Sequence, residues 1–148
     1  MNSHASIEIL LVEDNPGDAR LTAEALRDCK LVNKLHHARD GAEAMAFLRG
    51  TEGYEDKPRP DLILLDLNLP KIPGHVVLTE LKSCADLKTI PVVVLTSSEA
   101  EVDILKSYSL HANCYITKPV DFDKFVNVIK QIEAFWLSIV KLPYEAKA

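Results

Sequence analysis

The sequence predicts an α/β fold in which one parallel sheet is covered by helices on both faces. Two observations predict it. Short apolar runs alternate with segments of helical periodicity five times along the chain, an order that right-handed crossovers convert into a parallel sheet. The central run, Leu62-Ile63-Leu64-Leu65, is apolar without alternation, as a strand buried on both faces must be. The length of 148 residues suits one domain with a sizeable core. That domain is expected to occupy residues 1–148, with its core over about 7–130 and a last helix running to about 141.

Taken in order, Ile7-Glu8-Ile9-Leu10-Leu11-Val12 reads as the first strand and ends in Glu13-Asp14. Asn15-Pro16 then offers a cap and a first-turn proline for a helix through roughly Cys29, with Ala19, Leu21, Ala25 and Leu26 toward the core. Residues 35–38 form a short second strand, and Arg39-Asp40-Gly41 turns into a helix over 42–48. A polar loop with Gly and Pro follows over 50–60. The central strand ends in Asp66, and Pro70 and Pro73-Gly74 break the chain before a helix carrying Val76, Val77, Leu78 and Leu81. Residues 90–95 are rich in β-branched side chains and read as the fourth strand, ending in Thr96-Ser97-Ser98. A helix over 99–109 leads to a fifth strand, Cys114-Tyr115-Ile116-Thr117, which ends in Lys118-Pro119. The closing helix covers about 122–141.

Composition excludes several classes. With 47% hydrophobic and 26% charged residues the chain has ordinary globular values, and no stretch approaches the length of a membrane span. The first six residues lack the layout of a signal peptide, and three cysteines (Cys29, Cys84, Cys114) without metal-type spacing suit packed thiols in a reducing cytoplasm. A net charge of -5 with scattered Lys and Arg argues against a nucleic-acid surface. His36 and His37 are adjacent on a strand and point to opposite faces, so they are not expected to share a metal.

The polar strand ends converge. In an open parallel sheet, ligands bind outside the carboxyl ends of the strands. Glu13, Asp14, Asp66, Thr96 and Lys118 are therefore expected in one crevice, although each alone has a plain explanation as a turn or cap residue. A buried carboxylate at the end of an apolar strand must be hydrogen-bonded, paired, bound to a metal or chemically used. Three such carboxylates repel one another, and a hard cation with oxygen ligands, Mg²⁺ above all, relieves that. With Lys118 as a compact positive charge and Thr96 as a hydroxyl donor, the set suits a metal and a phosphoryl group on Asp66.

Glu13-Asp14, Asp66 with Pro70 and Gly74, Thr96 and Lys118-Pro119, in this order on five βα units, resemble the receiver domain of two-component response regulators over nearly the whole chain. The resemblance implies a flavodoxin-like (βα)5 fold with strand order 2-1-3-4-5. It implies that Asp66 is the phosphoacceptor for a sensor histidine kinase. It implies that Asp14, Asp66 and the Asn68 carbonyl hold Mg²⁺ directly, with Glu13 acting through water. It further implies a switch in which Thr96 and Tyr115 move and the surface of the fourth helix, fifth strand and fifth helix changes. Residues 107–119 and 135–143 look like the stand-alone receivers that partner cyanobacterial phytochrome histidine kinases, which would make the chain a light-signalling relay. Ser97 departs from the Ala or Gly that many receivers carry there and is expected to narrow access to the phosphoryl group.

The closing helix would be roughly 30 Å long at 1.5 Å per residue. Beyond the stripe that covers the sheet it has Val128, Phe135, Ile139 and Leu142 at helical spacing, which predicts a homodimer through the same surface. Two other readings compete. A phosphatase with an aspartate nucleophile typically carries a second carboxylate two residues on, where this chain has Asn68. A pseudo-receiver would bind partners without phosphorylation.

Overall fold

The computed structural model describes residues 7–27, 33–51, 53–97, 99–107, 112, 114–118, 123 and 127. Among them five strands and four helices alternate: β1 (Ile7–Val12), α1 (Pro16–Arg27), β2 (Asn33–Ala38), α2 (Gly41–Arg49), β3 (Leu62–Asp66), α3 (Gly74–Ser83), β4 (Val92–Thr96), α4 (Glu99–Ser107) and β5 (Cys114–Thr117). The strands form one parallel sheet of order β2-β1-β3-β4-β5. The expected order is therefore the observed one. The closing helix over 122–141 lies outside the described residues, as do Cys29 and the expected ends of the first and fourth helices.

Alternation along the strands sorts the core into two layers. Leu10, Val12, Ile63, Leu65, Val92 and Val94 face α2 and α3, meeting Ala44, Met45, Phe47, Val77, Leu78 and Leu81, with Leu105 of α4 beside them. Ile9, Leu11, Leu62, Leu64, Val93 and Leu95 face the other way, against Ala19, Ala25 and Leu26 of α1. Both layers are apolar, so β3 and β4 are buried along their whole length.

Three details depart from expectation. Leu21 does not face the core and is 46% exposed. It lies two residues from Ala19, about 200° around the helix, whereas Thr22 is one turn from Ala19 and takes the buried place. β2 begins two residues earlier than expected, at Asn33, because its pairing with β1 extends back to Ile7. β4 begins at Val92 rather than Ile90, since Pro91 lacks an N–H for the ladder, although its carbonyl still accepts from Ile63 N–H at 3.0 Å.

Helix starts and stops fix the loops at the carboxyl end of the sheet. Asn15 Oδ1 accepts from Asp18 N–H at 2.9 Å to cap α1, and Asp40 Oδ1 accepts from Glu43 N–H at 2.8 Å to cap α2. α2 ends at Gly50, whose φ of 64° is the left-handed cap conformation. α3 has no side-chain cap and is seated by contact instead. Gly74 N–H donates to the Leu67 carbonyl at 3.1 Å, and a Cβ on Gly74 would lie 2.5 Å from Asp66 O and 2.6 Å from Leu67 Cα. Both are backbone atoms of the strand end that carries Asp66. Gly74→Ala is accordingly expected to destabilise the protein by about 2–3 kcal/mol. A urea unfolding midpoint within experimental error of wild type would contradict the close seating of α3.

Candidate functional site

Sequence position delivers polar groups to one end of the sheet by a simple rule. The buried apolar runs of β1, β3 and β4 each give out at a charged or hydroxyl residue, and parallel strands all stop at the same end. Glu13 and Asp14 follow β1, Asp66 and Thr96 end β3 and β4, and Lys118 follows β5. Glu13, Asp66 and Thr96 are buried, with exposures of 0%, 1% and 1%, while Asp14 is exposed.

Lys118 draws the site together. Its Nζ lies 2.9 Å from Asp66 Oδ2, 3.0 Å from Asp18 Oδ2, and 3.0 and 3.3 Å from the two carboxylate oxygens of Glu13. An ammonium has three N–H donors, and Asp66, Asp18 and Glu13 Oε2 use them. Its main chain is held too, Lys118 N–H donating to the Thr96 carbonyl at 2.8 Å. Burial alone would lower the Lys118 pKa, but the hydrogen bonds to Asp66, Asp18 and Glu13 outweigh it and raise the pKa above the usual lysine range.

The carboxylates are crowded. Oxygens of Glu13, Asp14 and Asp66 all lie within 4.8 Å of one another. Asp66 Oδ1 accepts the Asn68 N–H at 3.0 Å, and Glu13 Oε2 accepts the Asn15 N–H at 3.3 Å. Glu13 Oε1 is buried and has no hydrogen-bond donor among the described residues, although it is within ion-pair reach of Lys118. Burial raises the Glu13 carboxyl to about 8, the adjacent Asp66 adding to the shift and Lys118 opposing it. A buried carboxylate oxygen without a donor, beside two further carboxylates, is what a hard divalent cation satisfies. The donor set fits such an ion.

The remaining sequence candidates fall as follows. Thr96 stands one residue beyond Leu95, the β4 partner of Asp66. Tyr115 is half-buried against the layer that includes α2 and α3, and its hydroxyl accepts from Ala112 N–H at 3.4 Å. Asn68 turns its side chain away from the carboxylates, Nδ2 donating to Ser97 Oγ and to Glu101 Oε2, each at 2.9 Å. Ser97 N–H donates to Glu101 Oε1 at 2.6 Å. Val128, Phe135, Ile139 and Leu142 lie outside the described residues. His36 and His37 find separate partners: His36 Nε2 is 2.6 Å from Glu8 Oε1 and His37 Nε2 is 2.6 Å from the Glu13 carbonyl. Cys84 and Cys114 are half-buried against the two core layers, and burial pushes the Cys114 thiol up, away from reactivity.

Two residues escaped the sequence reading. Asp18 occupies the third position of α1, where an acid after Asn15 suggests a capping box. The reciprocal bond is missing: the Asn15 N–H goes to Glu13, which leaves the Asp18 carboxylate for Lys118. Glu101 holds the corresponding position in α4 and accepts from the Ser97 N–H and the Asn68 side chain.

Comparison with known proteins adds relatives to this geometry. A family model, the response regulator receiver domain, matches residues 9–130. The chain is 52% identical over 135 residues to Response regulator Rcp1 of Synechocystis sp. (strain PCC 6803), the alignment covering 91% of this chain and 92% of Rcp1. It resembles the crystal structure of the phosphorylated cyanobacterial phytochrome response regulator RcpA with a TM-score of 0.76 and 52% identity, covering 94% of this chain and 99% of that one. It also resembles the Mn²⁺-bound form of response regulator Rcp1 with a TM-score of 0.74 and 51% identity, covering 93% and 99%.

The raised Glu13 pKa has a definite sign. Between about 4.5 and about 8 the folded protein holds a proton that the unfolded chain does not. The stabilisation from this proton is complete below about 4.5 and is lost as pH rises through about 8. In EDTA, wild-type stability measured by urea unfolding should therefore fall relative to Glu13→Gln across that window. A pH-independent difference between the two would show that Glu13 is ionised throughout.

Proposed function

The chain belongs to the response regulator receiver family, and from that premise we propose that it is a phosphoacceptor signalling protein whose Asp66 receives the phosphoryl group of a phosphohistidine on a sensor histidine kinase. The observation that carries the proposal is the 2.9 Å contact between Lys118 Nζ and Asp66 Oδ2 beside the three clustered carboxylates. An Asp66 oxygen forms a bond to phosphorus as the phosphorus–nitrogen bond of the phosphohistidine breaks. The electron pair of that bond returns to the imidazole, which takes a proton from solvent. Transfer needs in-line positioning and stabilisation of charge on the equatorial oxygens more than it needs further covalent chemistry.

Each residue has a role under this reading. Asp66, with one oxygen fixed by the Asn68 N–H and the other by Lys118, is presented in a defined orientation. Lys118 passes from the carboxylates to a phosphoryl oxygen, and the Thr96 hydroxyl donates to another. Glu13, Asp14, Asp66 and the Asn68 carbonyl would hold Mg²⁺, which supplies charge neutralisation and orientation of the phosphoryl group. Thr96 and Tyr115 report the phosphoryl group to the surface of α4, β5 and the helix expected from the sequence over 122–141. The reaction is confined to the protein's own phosphorylation and dephosphorylation, so the chain is a signalling component rather than an enzyme acting on an independent substrate.

A phytochrome is the proposed type of kinase. The support is the similarity to a phytochrome response regulator over nearly the full length of both chains. Residues 1–148 are proposed to act as one cytoplasmic receiver. No helix among the described residues is long and apolar enough to cross a membrane. A homodimer is proposed through α4, β5 and the closing segment, on the strength of Val128, Phe135, Ile139 and Leu142 repeating at helical spacing. Nucleic acid is not among the proposed partners, since the net charge of -5 disfavours it.

Incubation with a small phosphodonor and Mg²⁺ should place one base-labile phosphate on the protein. Asp66→Asn and EDTA should each abolish it, and Lys118→Ala should slow its appearance by about tenfold or more. Full labelling of Asp66→Asn would refute the assignment. For assembly, sedimentation equilibrium should give a dimer that Phe135→Glu converts to a monomer; a wild-type monomer at high concentration, phosphorylated or not, would exclude the dimer.

A further inference from the structure

The β3–β4 ladder shows which way the Ser97 amide faces. Ile63 N–H donates to Pro91 O and Leu67 N–H to Leu95 O, so odd-numbered residues of β4 present their polar groups to β3. Thr96 presents its carbonyl the other way, to Lys118 N–H. Ser97 continues the odd-numbered set, and its N–H is the first donor past the ladder on the side of Asp66. The first carbonyl past β3 on that side, Leu67 O, accepts the Gly74 N–H. The Ser97 N–H instead donates to Glu101 Oε1 at 2.6 Å.

An acid at the third position of a helix often reaches back to the chain before it. Glu43 of α2 does so, accepting the Arg39 N–H at 2.7 Å with one oxygen and the Tyr54 hydroxyl at 3.3 Å with the other, away from the carboxylate cluster. At α4 two things differ. The captured amide lies on the side of the phosphoacceptor, and the second Glu101 oxygen accepts from Asn68 Nδ2 at 2.9 Å. Asn68 in turn bridges the two loops, its Nδ2 donating to Ser97 Oγ and its N–H to Asp66 Oδ1 at 3.0 Å. A carboxylate therefore sits on donors beside Asp66, where a second anion would compete for them.

Resting on the phosphoacceptor reading above, we propose that Glu101 is a positioning residue of this site. Its carboxylate holds the Ser97 N–H and the Asn68 side chain in the resting protein, and it must release that amide before the amide stabilises an oxygen of a phosphoryl group on Asp66. A phosphoryl group brings close to two negative charges, so it repels Glu101 while it attracts the amide. Glu101 thus opposes phosphorylation in the resting state, and its release couples the event to α4, on which it stands. Ser97, which bulk alone would cast as an obstruction, acts as the acceptor that ties Asn68 to the same loop.

Beryllofluoride, a tetrahedral anion that binds a carboxylate oxygen as a phosphoryl group would, tests this on the full chain with Mg²⁺ by ¹⁹F NMR. Glu101→Gln, which keeps an acceptor but loses the charge, and Glu101→Ala, which loses both, should each bind it about five- to tenfold more tightly than wild type. Glu101→Asp, one methylene shorter, should fall between. The Ser97 amide proton should resonate downfield in resting wild type, move upfield in Glu101→Ala, and become insensitive to the substitution once beryllofluoride is bound. Equal or weaker binding in both Gln and Ala variants, with wild-type circular dichroism, would overturn the role. If neither wild type nor the variants bind beryllofluoride, the phosphoacceptor reading fails and the role fails with it. Tighter binding with an unmoved Ser97 resonance would also overturn it, since the amide would then not be the group released.

Discussion

Crowding of like charge is the constraint around which this molecule is arranged. Glu13, Asp14 and Asp66 bring their oxygens within 4.8 Å of one another at the end of a sheet, and two of the three are almost wholly removed from water. Isolated carboxylates in that position would be costly. Lys118 offsets part of the repulsion, with Asp18 as its third ligand. What remains is visible in the proton affinity of Glu13 and in Glu13 Oε1, which faces the Lys118 charge but has no hydrogen-bond donor among the described residues. The site is thus poised for a further cation, and its affinity for one should be linked to the proton on Glu13, because a cation and a proton compete for the same negative charge whether Glu13 acts directly or through water.

The rest of the fold makes this crowding geometrically reliable. β1, β3 and β4 are neighbours in the sheet, and a slip of any one of them would carry its polar end residue into an apolar layer or push an apolar residue out into the crevice. Gly74 lets α3 press directly on the backbone of Asp66 and Leu67, so the strand end is clamped from outside as well as by its ladder. Asn68 and Glu101 then join the loop after β3 to the loop after β4. Rigid strands carry the charges, and the parts able to rearrange are the short loops between a strand end and the next helix. That division suits a site in which a small chemical change on Asp66 must be felt at α4.

What could be read in the chain follows the same division. Strand ends were legible because each is a local event, an apolar run meeting its first polar residue, and parallel topology brings all such ends together. Asp66 and Lys118, 52 residues apart, needed no contact prediction to be paired. Asp18 and Glu101 were not legible for the opposite reason. Each has a sufficient local explanation as a helix-start acid, and only the three-dimensional path shows that its carboxylate goes elsewhere. Leu21 illustrates a different limit: an apolar residue in an amphipathic segment reads as core by type, whereas its angular position gives the place to Thr22. The proposed dimer residues depend on periodicity in a segment beyond the described structure.

The identity of the cation at position 118 also follows from the sheet. β5 is separated from β3 by β4, two strand spacings of roughly 4.8 Å, so a residue leaving β5 must cross the end of β4 to reach Asp66. Lysine does this with a thin aliphatic stem anchored by its own N–H on the Thr96 carbonyl. It arrives as a point charge whose three donors can turn toward three separate carboxylates. A guanidinium is planar and matches one carboxylate well in a bidentate fork, but it cannot direct equal donors at Glu13, Asp18 and Asp66. A compact ammonium can exchange one of those partners for a phosphoryl oxygen by a small rotation. The residue that balances charge at Asp66 is thus also tied through its main chain to Thr96, the proposed switch residue.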